Sequence, residues 1–255
     1  MTKSVKRVFL VRHGESLSNV DKSVHLTMAD HAIPLSGTGL TQALAAAGEI
    51  KEYLDGLHEV RQAERDMWTA SNAPRVMWRA PLPLKVVKEK VRLWVSPYKR
   101  TRMTADAIEE VVGDWILDRR EHILLCEQQF GLFDGIPDEK LSELFPAEQA
   151  HYKKCEEFEG RFWARMPLGE SRFDVASRVH QSFGTFHRDA EKHGIENIIV
   201  VCHGVTLRAF VMMWRHLTPE WFEAEPNPNN CAVRLIEDGE DKGYIFDGFP
   251  RQEER

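Results

Sequence analysis

The chain has 255 residues, of which 42% are hydrophobic, and a formal net charge of −6. This length and apolar content predict one large α/β domain over residues 1–255 rather than two small domains. The net negative charge excludes the global basic field that binds nucleic acids or acidic membrane surfaces, so we expect neither as a partner. The four cysteines lack CxxC or zinc-site spacing, which favours a reducing compartment.

The first predicted element is a strand over residues 8–11, where consecutive apolar side chains indicate burial on both faces, as in a parallel sheet. The residues before it are basic, but the apolar run is too short for a signal peptide or a membrane span. We therefore expect a cytoplasmic protein, although an organellar address read by a receptor stays open.

Polar residues suited to a ligand follow this strand directly. Ligand sites of open α/β sheets lie at the carboxyl ends of the strands. Arg12 offers a planar fork for phosphate or carboxylate, and His13 is a candidate nucleophile or base. Gly14 lets the backbone approach a ligand, and Ser16 and Asn19 can cap a following helix or donate to an anion. An ordinary polar loop is the alternative interpretation.

The next segment predicts a loop near this site and then a helix. Residues 20–34 are polar, and the two histidines among them, His25 and His31, are interpreted as surface residues. A turn over residues 35–39 precedes a helix over residues 41–54. The apolar residues at positions 40, 43, 44, 47, 50 and 54 recur at helical spacing and are expected on its inward face.

Asp55 and Gly56 are expected to end this helix. Residues 56–92 support no functional prediction, and we interpret them as a variable insertion whose prolines break regular structure. A second buried strand is predicted over residues 92–96.

Two further charged residues are predicted at strand ends or helix starts. Arg100 begins the helix after the second strand, where the helix dipole and amide donors favour an anion, whereas Arg102 is expected to be solvated. A strand is predicted over residues 122–126, and Glu127 at its end is a candidate proton donor. The alternatives are a solvated Arg100 and, for the glutamate, a salt bridge to Arg12 or Arg100.

Residues 137–167 predict a helical insertion. Lys154, Arg161 and Arg165 have the spacing of one helical face. These three side chains either reach the remote end of an anionic substrate or form a solvated face, and the second interpretation is the more common one.

A long helix is predicted to begin at Ser171, which forms a capping-box-like start with Asp174, and to end near His193 and Gly194. The first residues of this segment are interpreted as structural. The side chains expected to face inward are Phe173, Ala176, Val179, Phe183, Phe186 and Ala190.

A second apolar run, over residues 198–202, predicts another buried strand, and it ends in His203 and Gly204. We expect this strand tip to neighbour the tip that carries His13. Two imidazoles beside an arginine fork make a phosphoryl-transfer site, in which one ring attacks and the other holds charge. The remaining predicted elements are a helix over residues 207–217, strands over 231–236 and 243–246, and a disordered tail at 252–255.

Five blocks occur in an order that resembles one known family. They are Arg12-His13-Gly14-Glu15-Ser16 with Asn19, Ser96-Pro97 with Arg100-Thr101, Glu127 before Phe130-Gly131, Gly169-Glu170-Ser171, and His203-Gly204. Over about residues 7–210 the sequence resembles the histidine phosphatase superfamily, in its phosphoglycerate mutase-like, mutase/phosphatase branch.

This resemblance implies an α/β three-layer sandwich, with a mainly parallel central sheet flanked by helices. It also implies that residues 137–167 cap the pocket. Glu127 would occupy the position of the acid, because the other branch carries an aspartate directly after the second histidine, where this chain has Gly204.

The function implied is that of a metal-independent phosphomonoesterase. His13 attacks phosphorus and becomes phosphohistidine, while Glu127 protonates the leaving oxygen and then activates water. The groups expected to hold the phosphoryl oxygens are Arg12, Arg100, His203, Asn19, Ser16 and Gly204. No cofactor and no metal site are expected. The expected substrate is a small-molecule or protein phosphomonoester, and neither its identity nor the oligomeric state follows from the sequence.

Two alternatives stay open. A phosphoglycerate mutase uses the same chemistry, but the sequence departs from the mutases at Gln128-Gln129 after the acid and at Val205 after the second His-Gly pair. A non-catalytic module that binds a phospho-ligand or a partner protein on the same fold would be favoured by the loss of a histidine or of the acid, and the sequence retains all of them.

Overall fold

The computed structural model describes residues 5–72 and 89–250, with side chains for all of these except 69–72. Within this part of the chain, six strands form one sheet in the order β3-β2-β4-β1-β5-β6. The strands are β1 (Arg7–Arg12), β2 (Val91–Val95), β3 (Ile116–Glu121), β4 (Asn197–Cys202), β5 (Val233–Glu237) and β6 (Glu240–Phe246). The first four are mutually parallel, whereas β5 and β6 add antiparallel pairs at one side.

Helices cover both faces of this sheet. The described α-helices are α1 (Leu17–Val20), α2 (Gly37–Asn72), α3 (Lys99–Val112), α4 (Asp138–Leu144), α5 (Pro146–Glu159), α6 (Arg172–His193), α7 (Gly204–Arg215) and α8 (Pro219–Ala224). α2 and α3 pack on one face of the sheet, and α6 and α7 pack on the other. The expected three-layer α/β sandwich with a mainly parallel sheet is confirmed.

Alternation along the central strands divides the apolar side chains between two cores. On β1, Val8 and Leu10 belong to the core under α6 and α7, whereas Phe9 and Val11 belong to the core under α2 and α3. All four are at most 1% exposed. Successive side chains of a strand point to opposite faces, so a strand covered on both sides needs an unbroken apolar run.

The strand predicted over residues 122–126 is wrong. The third parallel strand is β3, and residues 123–125 form a 3-10 turn after it. Among the described strands, β3 pairs with β2 alone, and it is partly exposed along its length. Charged side chains are therefore tolerated there, and the apolar signal is lost. Leu125 is fully buried as part of the turn, which explains why an apolar run occurs outside the sheet.

The helix predicted over residues 41–54 is correct in type and wrong in length. α2 continues through Gly56 to Asn72 and includes the start of the segment interpreted as an insertion. A Cβ at Gly56 would meet no atom within 4 Å, and a glycine inside a helix costs only about 1 kcal/mol relative to alanine. Leu40 and Leu44, expected on the inward face, are about two fifths exposed, at 41% and 42%.

The predicted long helix is confirmed as α6. Its first turn has the capping box formed by Ser171 and Asp174, and it ends at Gly194 in the left-handed conformation, with φ of 66°. Phe173 is 47% exposed and not inward as predicted. It lies in the first turn, where its ring packs against Trp163 at 5.0 Å between centroids. The other side chains expected to face inward are buried.

Two predictions lie outside the described residues: the middle of the segment over residues 56–92, from 73 to 88, and the tail at 252–255. Among the helices of the described ranges, none combines the length and the apolar character that crossing a bilayer requires.

A buried ion pair links the sheet to α6. Arg92 on β2 is fully buried, and its Nε donates to Asp189 Oδ2 at 2.7 Å. Arg120 on β3 donates to the other oxygen of the same carboxylate at 2.5 Å. Arg92 also pairs with Asp118, whose side chain is 45% exposed. Asp189, at 8% exposure, is therefore the carboxylate that compensates a guanidinium removed from water.

We expect Asp189→Ala to lower the free energy of unfolding by about 3–5 kcal/mol, because it leaves the buried Arg92 without its shielded partner. Asp118→Ala is the matched control, since it removes an exposed partner of the same arginine and should cost at most about 1 kcal/mol. Urea denaturation of both variants measures the difference. Equal losses would contradict the dominant role of Asp189.

Candidate active site

The two histidines that follow buried strands lie side by side. β1 and β4 pair with Arg12 opposite Cys202, and the His13 amide donates to the Cys202 carbonyl at 3.1 Å. The ring centroids of His13 and His203 are consequently 5.1 Å apart, with an angle of 65° between the planes. Both residues are buried, at 4% and 0% exposure. The structure thus brings the two strand tips together as the sequence predicted.

A hydrogen bond sets the tautomer of His13. Its Nδ1 lies 2.7 Å from the carbonyl oxygen of Gly14. A carbonyl oxygen only accepts, so we assign the ring proton to Nδ1. In the neutral ring, Nε2 then holds the lone pair. The backbone therefore orients His13 as a nucleophile that acts through Nε2.

His203 is held as a neutral ring by its surroundings. Its Nε2 lies 2.8 Å from the hydroxyl of Ser96, the residue after β2, and its ring packs against Tyr98 at 4.9 Å between centroids. Burial, assisted by the positive charge of Arg100, lowers the pKa of His203 well below its usual value near 6.5. The buried Nδ1 has no hydrogen-bond partner in the described part of the chain. Such an atom in a site is satisfied when a ligand oxygen accepts from it.

The loop after β1 is fixed against the start of α2. A Cβ on Gly14 would lie 2.4 Å from the carbonyl oxygen of Gly39, and a Cβ on Gly39 would lie 2.0 Å from that of Glu15. The Glu15 amide donates to Gln42 at 2.8 Å, and its carboxylate accepts from the Ser36 hydroxyl at 2.6 Å. The turn and helix start predicted from the sequence therefore anchor the backbone that carries the first histidine.

A loop over residues 226–230 closes another side of the site. Arg12 is 2% exposed, and its Nη1 donates to the carbonyl of Pro228. The same loop places Asn227 so near Gly204 that a Cβ there would lie 2.1 Å from Asn227 Oδ1. A larger residue after the second histidine would therefore displace the Asn227 side chain.

Arg100 lies beside His203, and one end of its guanidinium is held by Asp30. Nη1 donates to the carbonyl and to Oδ1 of Asp30 at 2.7 and 2.9 Å, and Nη2 donates to Oδ2 at 3.2 Å. The guanidinium stands 4.8 Å from the ring centre of Tyr98, which contacts His203. Nε makes no hydrogen bond to the described residues. The edge formed by Nε and Nη2 therefore remains for a phosphoryl group.

Glu127 points at the start of α7. Its carboxylate oxygens accept from the amides of Val205 and Thr206, each at 3.4 Å. Glu127 therefore contacts backbone amides rather than Arg12 or Arg100, the salt-bridge partners that the sequence left as the alternative. Amides at a helix start suit a carboxylate. Because α7 begins directly after His203, this carboxylate lies next to the second histidine.

An ion pair supports the loop that carries Glu127. Arg178 on α6 pairs with Glu170 at 2.8 Å. The same guanidinium donates to three carbonyls at 2.8 to 3.0 Å, those of Leu124, Cys126 and Glu127. Glu170 also accepts from the Gln129 amide at 3.0 Å. The Gly-Glu-Ser block and Arg178 therefore position the loop that carries Glu127.

Ser16 and Asn19 form the capping box of α1. Asn19 Oδ1 accepts from the Ser16 amide at 3.1 Å, and the Ser16 hydroxyl accepts from the Asn19 amide at 3.3 Å. Their predicted capping role is confirmed, and contact with a phosphoryl group stays a prediction.

Lys154, Arg161 and Arg165 do not share a helical face as predicted, because α5 ends at Glu159. Lys154 is exposed, and Arg165 pairs with Asp174 at 2.6 Å. Of the three, Arg161 alone lines a cavity whose wall includes Val205, two residues after His203.

That cavity has a volume of about 620 Å³. Its wall includes Gln128 and Val205, the residues that follow Glu127 and Gly204 in the chain, and Tyr152 of α5. Residues of the 137–167 segment thus form part of a pocket beside the site. Groups of three or more His, Cys, Asp or Glu able to hold a metal ion are absent from residues 5–72 and 89–250.

A sequence profile of the histidine phosphatase superfamily (branch 1) matches residues 80–246, more than half of the chain. The chain belongs to the histidine phosphatase superfamily. Phosphoglycerate mutase-like protein AT74 of Arabidopsis thaliana is 32% identical to this protein over 94% of this chain and 67% of its own. Broad-range acid phosphatase DET1 of Saccharomyces cerevisiae is 25% identical over 90% of this chain and 84% of its own.

Solved structures share the fold of this chain. A mycobacterial glucosyl-3-phosphoglycerate phosphatase aligns with a TM-score of 0.58 over 91% of this chain and 93% of its own, at 22% identity. The alpha-ribazole phosphatase of Shigella flexneri aligns with a TM-score of 0.62 over 98% and 100%, at 17% identity. At these identities the likeness establishes the shared fold alone.

Several residues of the site were not predicted as such from the sequence. For Ser96 the sequence carried a signal, because this residue follows an apolar strand, as the two histidines do. For Arg178 the signal is its spacing, eight residues after Glu170, which directly precedes the N-cap of α6. The sequence carried no signal for Asp30 or Asn227, because segments distant in sequence bring them to Arg100 and Gly204.

We expect Arg100→Lys to lower kcat/KM for p-nitrophenyl phosphate about 10- to 150-fold, the equivalent of one lost charge-assisted hydrogen bond. Lysine keeps the charge and loses the planar fork. Arg102→Lys, two residues along α3, is the control, because Arg102 is exposed and pairs with Glu121 outside the site. Steady-state kinetics with thermal melts of both variants check this. Comparable damage from both substitutions would place the loss in helix stability rather than at the phosphate.

Proposed function

We propose that this member of the histidine phosphatase superfamily is a metal-independent phosphomonoesterase that acts through a phosphohistidine on His13. The observation that carries the proposal is the pair of buried rings, 5.1 Å apart, in which the Gly14 carbonyl leaves His13 Nε2 with the lone pair. Arg12 and Arg100 beside the rings supply positive charge for the phosphoryl oxygens. A relative named as a broad-range acid phosphatase supports the same chemistry.

The first step transfers the phosphoryl group to the protein. His13 Nε2 gives its lone pair to phosphorus as the bond between phosphorus and the ester oxygen breaks in line with it. Glu127 supplies a proton to the departing oxygen, so the alcohol leaves neutral. His203 donates from Nδ1 to a phosphoryl oxygen, which uses the atom that lacks a partner in the described residues.

The second step returns the histidine. A water molecule attacks phosphorus, Glu127 takes its proton, and the bond between phosphorus and Nε2 breaks. The products are inorganic phosphate and the original tautomer of His13. The two arginines hold the same oxygens in both steps, because charge on them persists through each transition state.

The proposed substrate is a phosphomonoester of a small molecule or a protein, and the proposed location is the cytoplasm. Neither nucleic acid nor membrane is proposed as a partner, because the net charge of −6 provides no general anion-binding field.

The proposal predicts that His13→Ala lowers kcat for p-nitrophenyl phosphate by at least about 1,000-fold, as expected for removal of a covalent nucleophile. His58→Ala is the matched control, because His58 packs against Trp115 at 5.8 Å, on α2 and apart from the two paired rings. The assay contains EDTA throughout. Wild-type activity in His13→Ala, or a strict requirement for a divalent metal, would contradict the mechanism.

The same assays separate the alternatives. A phosphoglycerate mutase would interconvert 2- and 3-phosphoglycerate faster than it releases phosphate when 2,3-bisphosphoglycerate is supplied. A non-catalytic module would bind vanadate or phosphate with no turnover of any ester.

Glu127→Gln should slow hydrolysis of glycerol 3-phosphate far more than that of p-nitrophenyl phosphate, since general acid catalysis contributes about 10²- to 10⁴-fold for a poor leaving group. The single glutamine oxygen can still accept from one of the two amides at the start of α7, so one of these two contacts is retained. Measuring kcat/KM for both esters checks the role. Equal losses on both would assign Glu127 to support of α7 alone.

A further inference from the structure

The segment between β1 and α2 forms a loop that brings Asp30 to Arg100. The ends of this loop are joined, because Ser16 and Leu35 form a β-bridge. Residues 17–32 between these ends are all partly or fully exposed. Such a loop has no core of its own, so the polar contacts that it makes with the rest of the protein decide its position.

The backbone of Arg100 is held independently of this loop. Arg100 is the second residue of α3, and its carbonyl accepts from the Thr104 hydroxyl at 2.9 Å. The same hydroxyl oxygen accepts from the Gly14 amide at 3.2 Å, which ties the start of α3 to the residue after His13. These contacts fix where the arginine side chain begins. They do not fix its guanidinium, because several rotatable bonds separate the two.

The hydrogen bonds that this guanidinium makes to the described residues all go to Asp30. Nη1 donates to the carbonyl and to Oδ1, and Nη2 donates to Oδ2. The side chains of Arg100 and Asp30 are 6% and 24% exposed. Tyr98 covers the face of the guanidinium, with 4.8 Å to its ring centre. A ring face sets no direction within the guanidinium plane, whereas a two-point contact with a carboxylate does.

The charge of Asp30 opposes the binding of a phosphoryl group. A carboxylate beside Arg100 offsets part of the positive charge there and repels a dianion. If charge alone mattered, the site would bind phosphate more tightly without Asp30. The orientation of a binding group carries the larger effect, since a displacement of about 1 Å can lower a rate about 100-fold. The contribution of Asp30 is therefore the fixed direction of the guanidinium.

We infer that Asp30 is a positioning residue for phosphoryl transfer. It holds the Arg100 guanidinium so that the edge formed by Nε and Nη2 faces the phosphoryl oxygens. Asp30 itself does not touch the substrate and acts through Arg100. The inference rests on the proposed phosphatase function, and it makes the loop between β1 and α2 a working part of the site.

Asp30→Ala should lower kcat/KM for p-nitrophenyl phosphate about 10- to 100-fold, because the guanidinium loses its fixed direction. Asp21→Ala is the matched control in the same loop, since Asp21 is exposed and accepts from Ser23. It should stay within about 3-fold of the wild type. Asp30→Asn keeps the carbonyl and one side-chain acceptor, so it should lose less, and it decides the outcome if Asp30→Ala does not fold.

A double-mutant cycle with Arg100→Ala separates positioning from support of the loop. When Arg100 is absent, Asp30 has no guanidinium to hold, so Asp30→Ala should then lower kcat/KM by less than about 3-fold or raise it. A loss of the same size with and without Arg100 would assign Asp30 to the structure of the loop and overturn the inference. Unchanged or higher kcat/KM in Asp30→Ala alone would overturn it as well.

The failure of the inference differs from failure of the proposed function. Hydrolysis of p-nitrophenyl phosphate by the wild type, with independent effects in the cycle, would overturn the inference and leave the phosphatase assignment intact. If no ester is hydrolysed, the phosphatase assignment fails, and calorimetry with vanadate and with inorganic phosphate on the same four proteins then decides. Weaker binding in Asp30→Ala that is absent from the Arg100→Ala background would support the positioning role. An equal loss in both backgrounds, or no loss in either, would overturn it.

Discussion

The parallel pairing of β1 with β4 is the constraint on which the site depends. The hydrogen bond from the His13 amide to the Cys202 carbonyl continues the ladder one residue past β1 and sets the two histidines beside each other. A shift of one residue in this register would turn the strand's side chains to the opposite faces. β4 also pairs with β2, which brings Ser96 to His203. Three strand tips, distant in sequence, thereby form one surface.

The balance of charge around these tips explains what the site can bind. His203 is neutral because burial and neighbouring positive charge lower its pKa. Arg100 shares one end of its guanidinium with Asp30 and keeps an edge for a ligand, whereas the Glu127 carboxylate is directed at the amides of α7. The site can therefore accept a phosphoryl dianion, and the protein's own fixed charges stabilise the transition state without reorganisation.

Much of this arrangement could be predicted from the sequence, because buried strands and the residues at their ends leave a local signal. The apolar runs of β1 and β4 identify strands covered on both faces, and the polar residues that interrupt them are His13 and His203. β3 lacked such a signal because an edge strand tolerates charge, and residues 55–68 of α2 lacked one because their side chains are partly or fully exposed. Asp30 depends on a loop whose position follows from tertiary packing, so no spacing in the sequence could place it.

The measurement that tests the account most directly is the site of phosphorylation during a single turnover. With enzyme in excess of p-nitrophenyl phosphate, quenching into alkali at successive times should trap one phosphate on His13. Because Gly14 holds Nδ1 at 2.7 Å, the phosphorus should be bonded to Nε2, and mass spectrometry with ³¹P NMR of the digested protein distinguishes the two isomers. Phosphate on Nδ1 or on another residue, or release of p-nitrophenolate with no phosphohistidine at any time, would contradict the account.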